Sequence, residues 1–231
     1  MTKKTEGDSI RGVGLDIGTS NIVSARKNGA EVETRRMRDA FLDLPPDAKR
    51  MLKLTGINFI EREDEILIIG DAALTTANLF HREARRPLQG GIVAAGEIDA
   101  LEILGIIIAQ VLGEPATPGE HCYYSIPAPP IDKPGQDVVY HEGIFSKIVA
   151  EAGYTPVSGN EATAIVMSEC AAEVFSGVGI SFGAGMTNIS VVYQTIEGLG
   201  FSVARGGDWI DENAGRAIGR TATSMMAVKE K

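Results

Sequence analysis

A 231-residue chain with 44% hydrophobic residues carries enough apolar side chain for one large or two small domains. Its formal net charge of −9 excludes a nucleic-acid backbone as the main partner, because such a partner needs a basic face. Two cysteines, Cys122 and Cys170, and three histidines, His81, His121 and His141, lack metal-ligand spacing, so no zinc site is expected and the cysteines read most simply as small core residues in a reducing compartment.

Residues 1–9 are polar and charged and read as a flexible tail, without the apolar segment of a signal peptide. The stretch Gly12-Val13-Gly14-Leu15-Asp16-Ile17-Gly18-Thr19-Ser20-Asn21-Ile22-Val23-Ser24-Ala25 reads as a strand, a tight glycine turn and a second strand, with Val13, Leu15 and Ile17 alternating with small or acidic residues. Gly18 opens a turn whose backbone N–H groups, with the Thr19 and Ser20 hydroxyls, suit a phosphate. Asp16 repels phosphate but suits a hydrated Mg²⁺, which keeps its waters and needs only one or two carboxylates. The hairpin continues through the Lys27-Asn28-Gly29 turn into a strand over 30–34. Arg35, Arg36 and Arg38, like Arg82, Arg85 and Arg86 further on, read as basic clusters on solvated loops.

The chain over 39–56 reads as irregular, with Pro45-Pro46 leading into a short helix at 47–54. Strands are predicted at 59–60 and 66–69 around the acidic turn Glu63-Asp64-Glu65, and a helix from Gly70-Asp71. Arg86-Pro87-Leu88-Gln89-Gly90-Gly91-Ile92-Val93 is a loop entering a strand-like stub. A helix over 97–112 is apolar nearly all round and should be buried, and its run over 103–112, interrupted by Gly105 and Gln110, is too short to span a bilayer. A core strand is predicted at 122–126, a helix at 136–151 with Ile144, Ile148 and Val149 inward and Gly153 ending it, and a short strand at 155–158. An alanine-rich helix at 161–174 is capped by Asn160. Strands follow at 178–182, 187–193 and 200–204, then the glycine turn Arg205-Gly206-Gly207-Asp208, a helix over 209–219 and a helical stretch over 221–231.

The first hairpin recurs. Val178-Gly179-Ile180-Ser181-Phe182-Gly183-Ala184-Gly185-Met186-Thr187-Asn188-Ile189 repeats its arrangement, with Ser181 in the place of Asp16 and Gly183 in the place of Gly18. With Gly159-Asn160-Glu161-Ala162-Thr163-Ala164 between the two loops, the ordered set resembles the actin and heat-shock-chaperone ATPase superfamily, which also holds the sugar kinases. Ile69-Gly70-Asp71-Ala72, the Arg86–Val93 loop and Ser125-Ile126-Pro127-Ala128 are most similar to bacterial actin homologues such as MreB and MamK.

The resemblance implies an α/β, actin-like ATPase fold, ribonuclease-H-like, of two related lobes with mixed sheets flanked by helices. The first lobe is expected over 10–174, with a small outer subdomain at about 39–70, and an incomplete second lobe over 175–231. It implies ATP and Mg²⁺ between the lobes. Asp16 would order Mg²⁺ through water; Gly18, Thr19, Ser20 and Asn21 would hold phosphates from one side and Gly183, Ala184, Gly185, Met186 and Thr187 from the other. Glu161 matches a catalytic glutamate near the attacking water, and Gly206 and Gly207 match a turn beside the ribose and phosphates. Glu161 equally suits a helix N-terminus electrostatically, and Gly206-Gly207 equally suits a plain strand-ending turn.

Two departures bear on function. Ser181 stands where most of these ATPases carry an aspartate that positions metal-bound water, so nucleotide binding with slow hydrolysis is expected. The family's further subdomain, its Gly-Gly-Gly-type adenosine loop and its final helix do not follow Lys231, so a C-terminally truncated fragment is expected. The leading expectation is a cytoplasmic ATP-binding protein that assembles head to tail into cytoskeletal filaments, its partner a second copy of itself. The competing class is a DnaK-related, chaperone-like or nucleotide-dependent scaffold protein with a protein client. A small-molecule kinase would need a further catalytic aspartate, and none stands out.

Overall fold

Gly18 closes the turn that starts the fold: its N–H donates to the Asn21 carbonyl at 3.1 Å, and a Cβ at this position would lie 2.8 Å from that same oxygen. The structure is a computed structural model and describes residues 12–229 apart from 81, 95 and 134–137. The predicted tail over 1–9, His81, the first residues of the helix predicted from Gln136, and Glu230 and Lys231 lie outside the described residues.

Around that turn, β1 (Gly12–Ile17) and β2 (Asn21–Asn28) pair antiparallel, and β3 (Glu31–Arg38) continues the meander. The third strand runs past the predicted end at 34, because β2 offers it a full ladder that reaches Asn21 opposite Arg38. Arg35, Arg36 and Arg38 therefore stand on a strand and not on a loop.

Next comes β4 (Phe41–Leu44), where irregular chain was expected. Four residues carry too little alternation to declare a strand; this one is made by pairing with β6, 22 or more residues further on, as in Leu44 opposite Ile66. A 3-10 turn at Pro46–Ala48 leads into α1 (Lys49–Thr55), then β5 (Ile60–Glu61), β6 (Ile66–Ile69) and α2 (Asp71–Leu79). The three short strands, in the order β4-β6-β5, enclose a small core of their own that includes Leu42, Leu52, Ile66, Ile68 and Ala73. Then β7 (Leu88–Gln89) and β8 (Ile92–Val93) form a tight hairpin, and α3 (Ala100–Leu112) buries Ile103, Leu104, Ile107 and Ile108.

The main sheet is completed from further along. β9 (His121–Ile126), α4 (Val138–Glu151) and β10 (Thr155–Asn160) form a parallel crossover that adds to β1, giving the order β10-β9-β1-β2-β3. The sheet is mixed, as expected. α3 and α4 touch each other and cover one face of it, with Phe145 and Val149 buried and Ile144 and Ile148 packed beside them. Cys122 lies in this core, where burial pushes its thiol up to about 12; Cys170 is half-buried.

α5 (Glu161–Glu169) is capped as predicted, Asn160 Oδ1 accepting from Ala162 N at 2.9 Å. It ends at Glu169 and not at Val174: Cys170 already leaves the helical region at φ −104° and ψ 33°, and Val174 and Phe175, with positive φ values of 52° and 51°, complete the turn. β11 (Gly177–Phe182), β12 (Thr187–Tyr193) and β13 (Ile196–Val203) then pair antiparallel, since each strand joins the next by a direct turn, and Pro130 adds a parallel bridge to Ser202 on β13. α6 (Gly207–Ile218) and α7 (Ala222–Lys229) close the described chain. No described helix is long and apolar enough to cross a membrane.

α5 lies on one face of the three-stranded sheet; Val178, Ile180, Phe182 and Leu199 stand exposed on the sheet. The helix approaches so closely that a Cβ at Gly179 would run into the Ala162 carbonyl, whereas one at Gly198 would sit 3.8 Å from the Val191 oxygen in ordinary contact. Gly179→Ala is therefore expected to cost about 1–3 kcal/mol in a urea or thermal melt, and Gly198→Ala less than about 0.5 kcal/mol.

Candidate functional site

The β1–β2 turn and the β11–β12 turn face one another across a cleft of about 330 Å³. Sheet register decides which side chains enter it. Asp16 on β1 pairs with Val23 on β2, which pairs with Arg36 on β3, so the three stand in one row on one face. All three line the cleft.

Asp16 is open to the cleft but held on its other side. Ser125, on the neighbouring strand β9, donates its hydroxyl to Asp16 Oδ1 at 2.7 Å and accepts from Ile17 N at 3.0 Å. Desolvation by the surrounding walls raises the Asp16 carboxyl above its ordinary value, and the Ser125 hydrogen bond opposes that rise.

Glu161 reaches the cleft as the first residue of α5. Ser181 donates its hydroxyl to Glu161 Oε1, and Asn188 donates Nδ2 to Oε2 at 2.9 Å. The Asn188 oxygen accepts from Ala128 N at 3.1 Å, which fixes the amide's orientation. Burial raises the Glu161 carboxyl, the Asp16 charge adds to the rise, and the bonds from Ser181 and Asn188 oppose it.

The predicted phosphate-loop residues divide into two groups. Gly18, Thr19, Ser20, Asn21, Gly183, Ala184, Gly185 and Met186 all line the cleft. Of the hydroxyls, Thr19 Oγ1 is buried and accepts from Gly91 N at 3.1 Å, and Ser20 Oγ accepts from Arg38 at 2.9 Å, so both have protein partners. The Asn21 side-chain oxygen is buried without a partner among the described residues. Thr187, Gly206 and Gly207 do not line the cleft. Thr187 donates to Arg205 O at 2.8 Å, and Gly207 N and Asp208 N donate to the carbonyls of Gly183 and Ala184, each at 2.9 Å. These residues support the second turn from behind, since the strand–turn–helix path brings the start of α6 under that turn.

The two turns meet at the β7–β8 hairpin. A Cβ at Gly185 would strike Gly91 N and the Thr19 hydroxyl, and the Met186 side chain packs on Gly91. Asp39 Oδ2 accepts from Leu88 N at 3.0 Å, and Arg86 pairs with Asp208 at 3.0 Å, so this hairpin ties the main sheet to α6. The second arginine cluster is thus engaged and not free in solvent: Arg82 and Arg85 pair with Asp43, and Arg85 lies over the Phe41 ring.

Ser125, Asn188, Arg36 and Gly91 belong to the cleft and were not singled out as site residues from the sequence. Ser125 and Gly91 sit in segments that carried the family resemblance, and Asn188 directly follows the second turn. Arg36 became legible only once β3 was seen to reach it.

A match to the volactin family runs over residues 12–231. The chain belongs to the volactin family. No curated protein matches the sequence. Among solved structures it is similar to a MamK double helical filament, with a TM-score of 0.67 and 20% identity over 94% of this chain and 63% of that one. It is similar to MreB5 of Spiroplasma citri bound to ADP, with a TM-score of 0.61 and 16% identity over 91% and 56% of the two chains. It is also similar to the ethanolamine utilization protein EutJ from Carboxydothermus hydrogenoformans, with a TM-score of 0.52 and 17% identity over 95% and 61%. The fold is the actin-like ATPase fold, and the chain spans 56–63% of the length of these structures.

Asp39 titrates where it meets the β7–β8 hairpin. Burial pushes its carboxyl up to about 8, against the Leu88 N–H and the Arg86 charge that pull it down. A carboxyl with a raised folded-state pKa contributes stability that is full below its unfolded value of about 3.9 and is lost as pH rises towards 8. Urea melts at pH 5 and pH 9 are therefore expected to show the stability of Asp39→Asn rising relative to the unsubstituted chain at the higher pH; an equal difference at both pH values would contradict this.

Proposed function

We propose that the cleft binds ATP with Mg²⁺, hydrolyses it slowly, and couples its occupancy to head-to-tail assembly of the chain into filaments. The observation that carries this reading is the convergence of Asp16 from the five-stranded sheet and Glu161 from α5 on one cleft walled by two glycine turns.

The donor set fits a hydrated divalent cation. Two carboxylates share the cleft, both are raised by desolvation, and the charge of Asp16 raises Glu161 further. Bound Mg²⁺ would supply the positive charge that both carboxylates and the phosphates need. Asp16 would hold the ion through water, with Ser125 fixing one of its oxygens. The turns Gly18, Thr19, Ser20 and Asn21, and Gly183, Ala184, Gly185 and Met186, would cradle the phosphates with backbone amides. Thr187, Gly206 and Gly207 would act on the ligand through the turn they brace. Glu161, aimed by Ser181 and Asn188, would orient the attacking water.

Slow turnover follows from position 181. A serine there brings no carboxylate, and its hydroxyl proton is committed to Glu161. Assembly is supported by the likeness to MamK, whose solved form is a double helical filament, and nucleotide binding by MreB5 structures bound to ADP and to AMPPNP.

Ser181→Asp is expected to raise the Mg²⁺-dependent ATPase rate about tenfold or more, equivalent to about 1.4 kcal/mol of barrier; an unchanged rate would show that this position does not limit hydrolysis. Calorimetry with ADP and AMPPNP is expected to show Mg²⁺-enhanced binding that Asp16→Asn abolishes. High-speed sedimentation is expected to pellet the chain with Mg·AMPPNP and to leave it in the supernatant without nucleotide.

A further inference from the structure

The cleft is lined by charged side chains of both signs: Asp16 and Glu161 as anions and Arg36 as the cation. We infer that Arg36 is the residue that recognises the polyphosphate, making the site selective for nucleoside di- and triphosphates over nucleosides; this rests on the nucleotide-binding reading above.

Three observations carry the assignment. The register places Asp16, Val23 and Arg36 in one row across β1, β2 and β3. Neighbouring strands are about 4.8 Å apart, so the ends of that row are separated by about 10 Å at the backbone. The row thus sets a permanent cation two strands from the carboxylate that would hold the metal, and Val23 between them is short and apolar and competes for neither end. Second, strand alternation separates the neighbouring arginines. Arg35 is opposite Ser24, whose hydroxyl donates to Val111 O at 2.7 Å, on the α3 side; Arg36 therefore takes the cleft side.

Third, Arg36 has no ion-pair or hydrogen-bond partner among the described residues, in contrast to its neighbours. Arg35 pairs with Glu33 at 3.3 Å, and Arg38 donates to Ser20 at 2.9 Å. A guanidinium is a permanent, planar, weakly hydrated cation that grips phosphate oxygens in a fork. In a cleft whose other two charges repel phosphate, it supplies directional attraction that backbone amides alone do not. Its place on the edge strand β3 leaves it exposed, so its replacement removes no packing.

The test is calorimetry of the full chain in Mg²⁺ with AMPPNP, ADP, inorganic tripolyphosphate and adenosine, on the unsubstituted chain, Arg36→Ala and Arg36→Lys, each checked by circular dichroism and melting temperature. Arg36→Ala is expected to weaken AMPPNP, ADP and tripolyphosphate tenfold or more, to leave adenosine within twofold, and to flatten the salt dependence of AMPPNP binding; Arg36→Lys is expected to fall between. Binding of AMPPNP and ADP within twofold of the unsubstituted chain would overturn the assignment, as would an equal loss for adenosine. Absence of binding by the unsubstituted chain to every probe would instead overturn the nucleotide-binding reading itself, and this inference with it.

Discussion

Glu161 stands where three separate pieces of the chain meet, and the site depends on how its carboxylate is held. Ser181 from β11 grips one oxygen, Asn188 from β12 grips the other, and Asn188 in turn accepts from the backbone at Ala128, just beyond β9. One amide side chain thereby joins the three-stranded sheet, the start of α5 and the loop leaving the main sheet. Removing a partner from such a partly buried network leaves a charged or polar group short of a partner, which costs more than the bond itself contributes where water does not replace it. The backbone contact of Gly179 with Ala162 sets the distance over which these bonds are made.

The two turns follow a matching logic. Each closes on itself, Gly18 N to Asn21 O at 3.1 Å and Gly183 N to Met186 O at 2.9 Å, and each is braced by something outside it. Arg38 and the β7–β8 hairpin brace the first; Thr187 and the first residues of α6 brace the second. Turns fixed by their own and their neighbours' hydrogen bonds present their amides without reorganising. Thr19 and Ser20 accept these bracing bonds at their hydroxyl oxygens and keep their O–H groups to donate, so in the proposed site backbone amides and these two hydroxyls would share the cradle.

What the sequence made legible was local. The strand–glycine–strand pattern at 12–25 and again at 178–191 needs only neighbouring residues to form, and both hairpins stand where they were read. The features that escaped depend on partners far along the chain. β4 exists because Ile66–Ile69 pairs with it. Ser125 lies 109 residues from Asp16, and Asn188 lies 60 residues from Ala128. Arg36 turned on the extent of a strand, since side chains alternate faces and one more ladder position decides whether an arginine meets solvent or a cleft. Gly206 and Gly207 were read as a turn, but Gly206 is the N-cap of α6 and Gly207 its first residue, and only the packing showed that the start of this helix braces the second loop from behind.

Position 181 then changes the balance of the site. An aspartate there would set a third carboxylate beside two that burial already raises, Glu161 further by the Asp16 charge. Serine removes that repulsion and donates a proton where a carboxylate would demand one, so Glu161 is held as an acceptor before any ligand arrives. The arrangement would lower the cost of bringing the proposed polyphosphate into an acidic cleft, and the same change would withdraw the group best suited to organise water around a metal. Under the proposed function, binding and turnover would therefore be opposed at this one residue, with the serine on the side of binding.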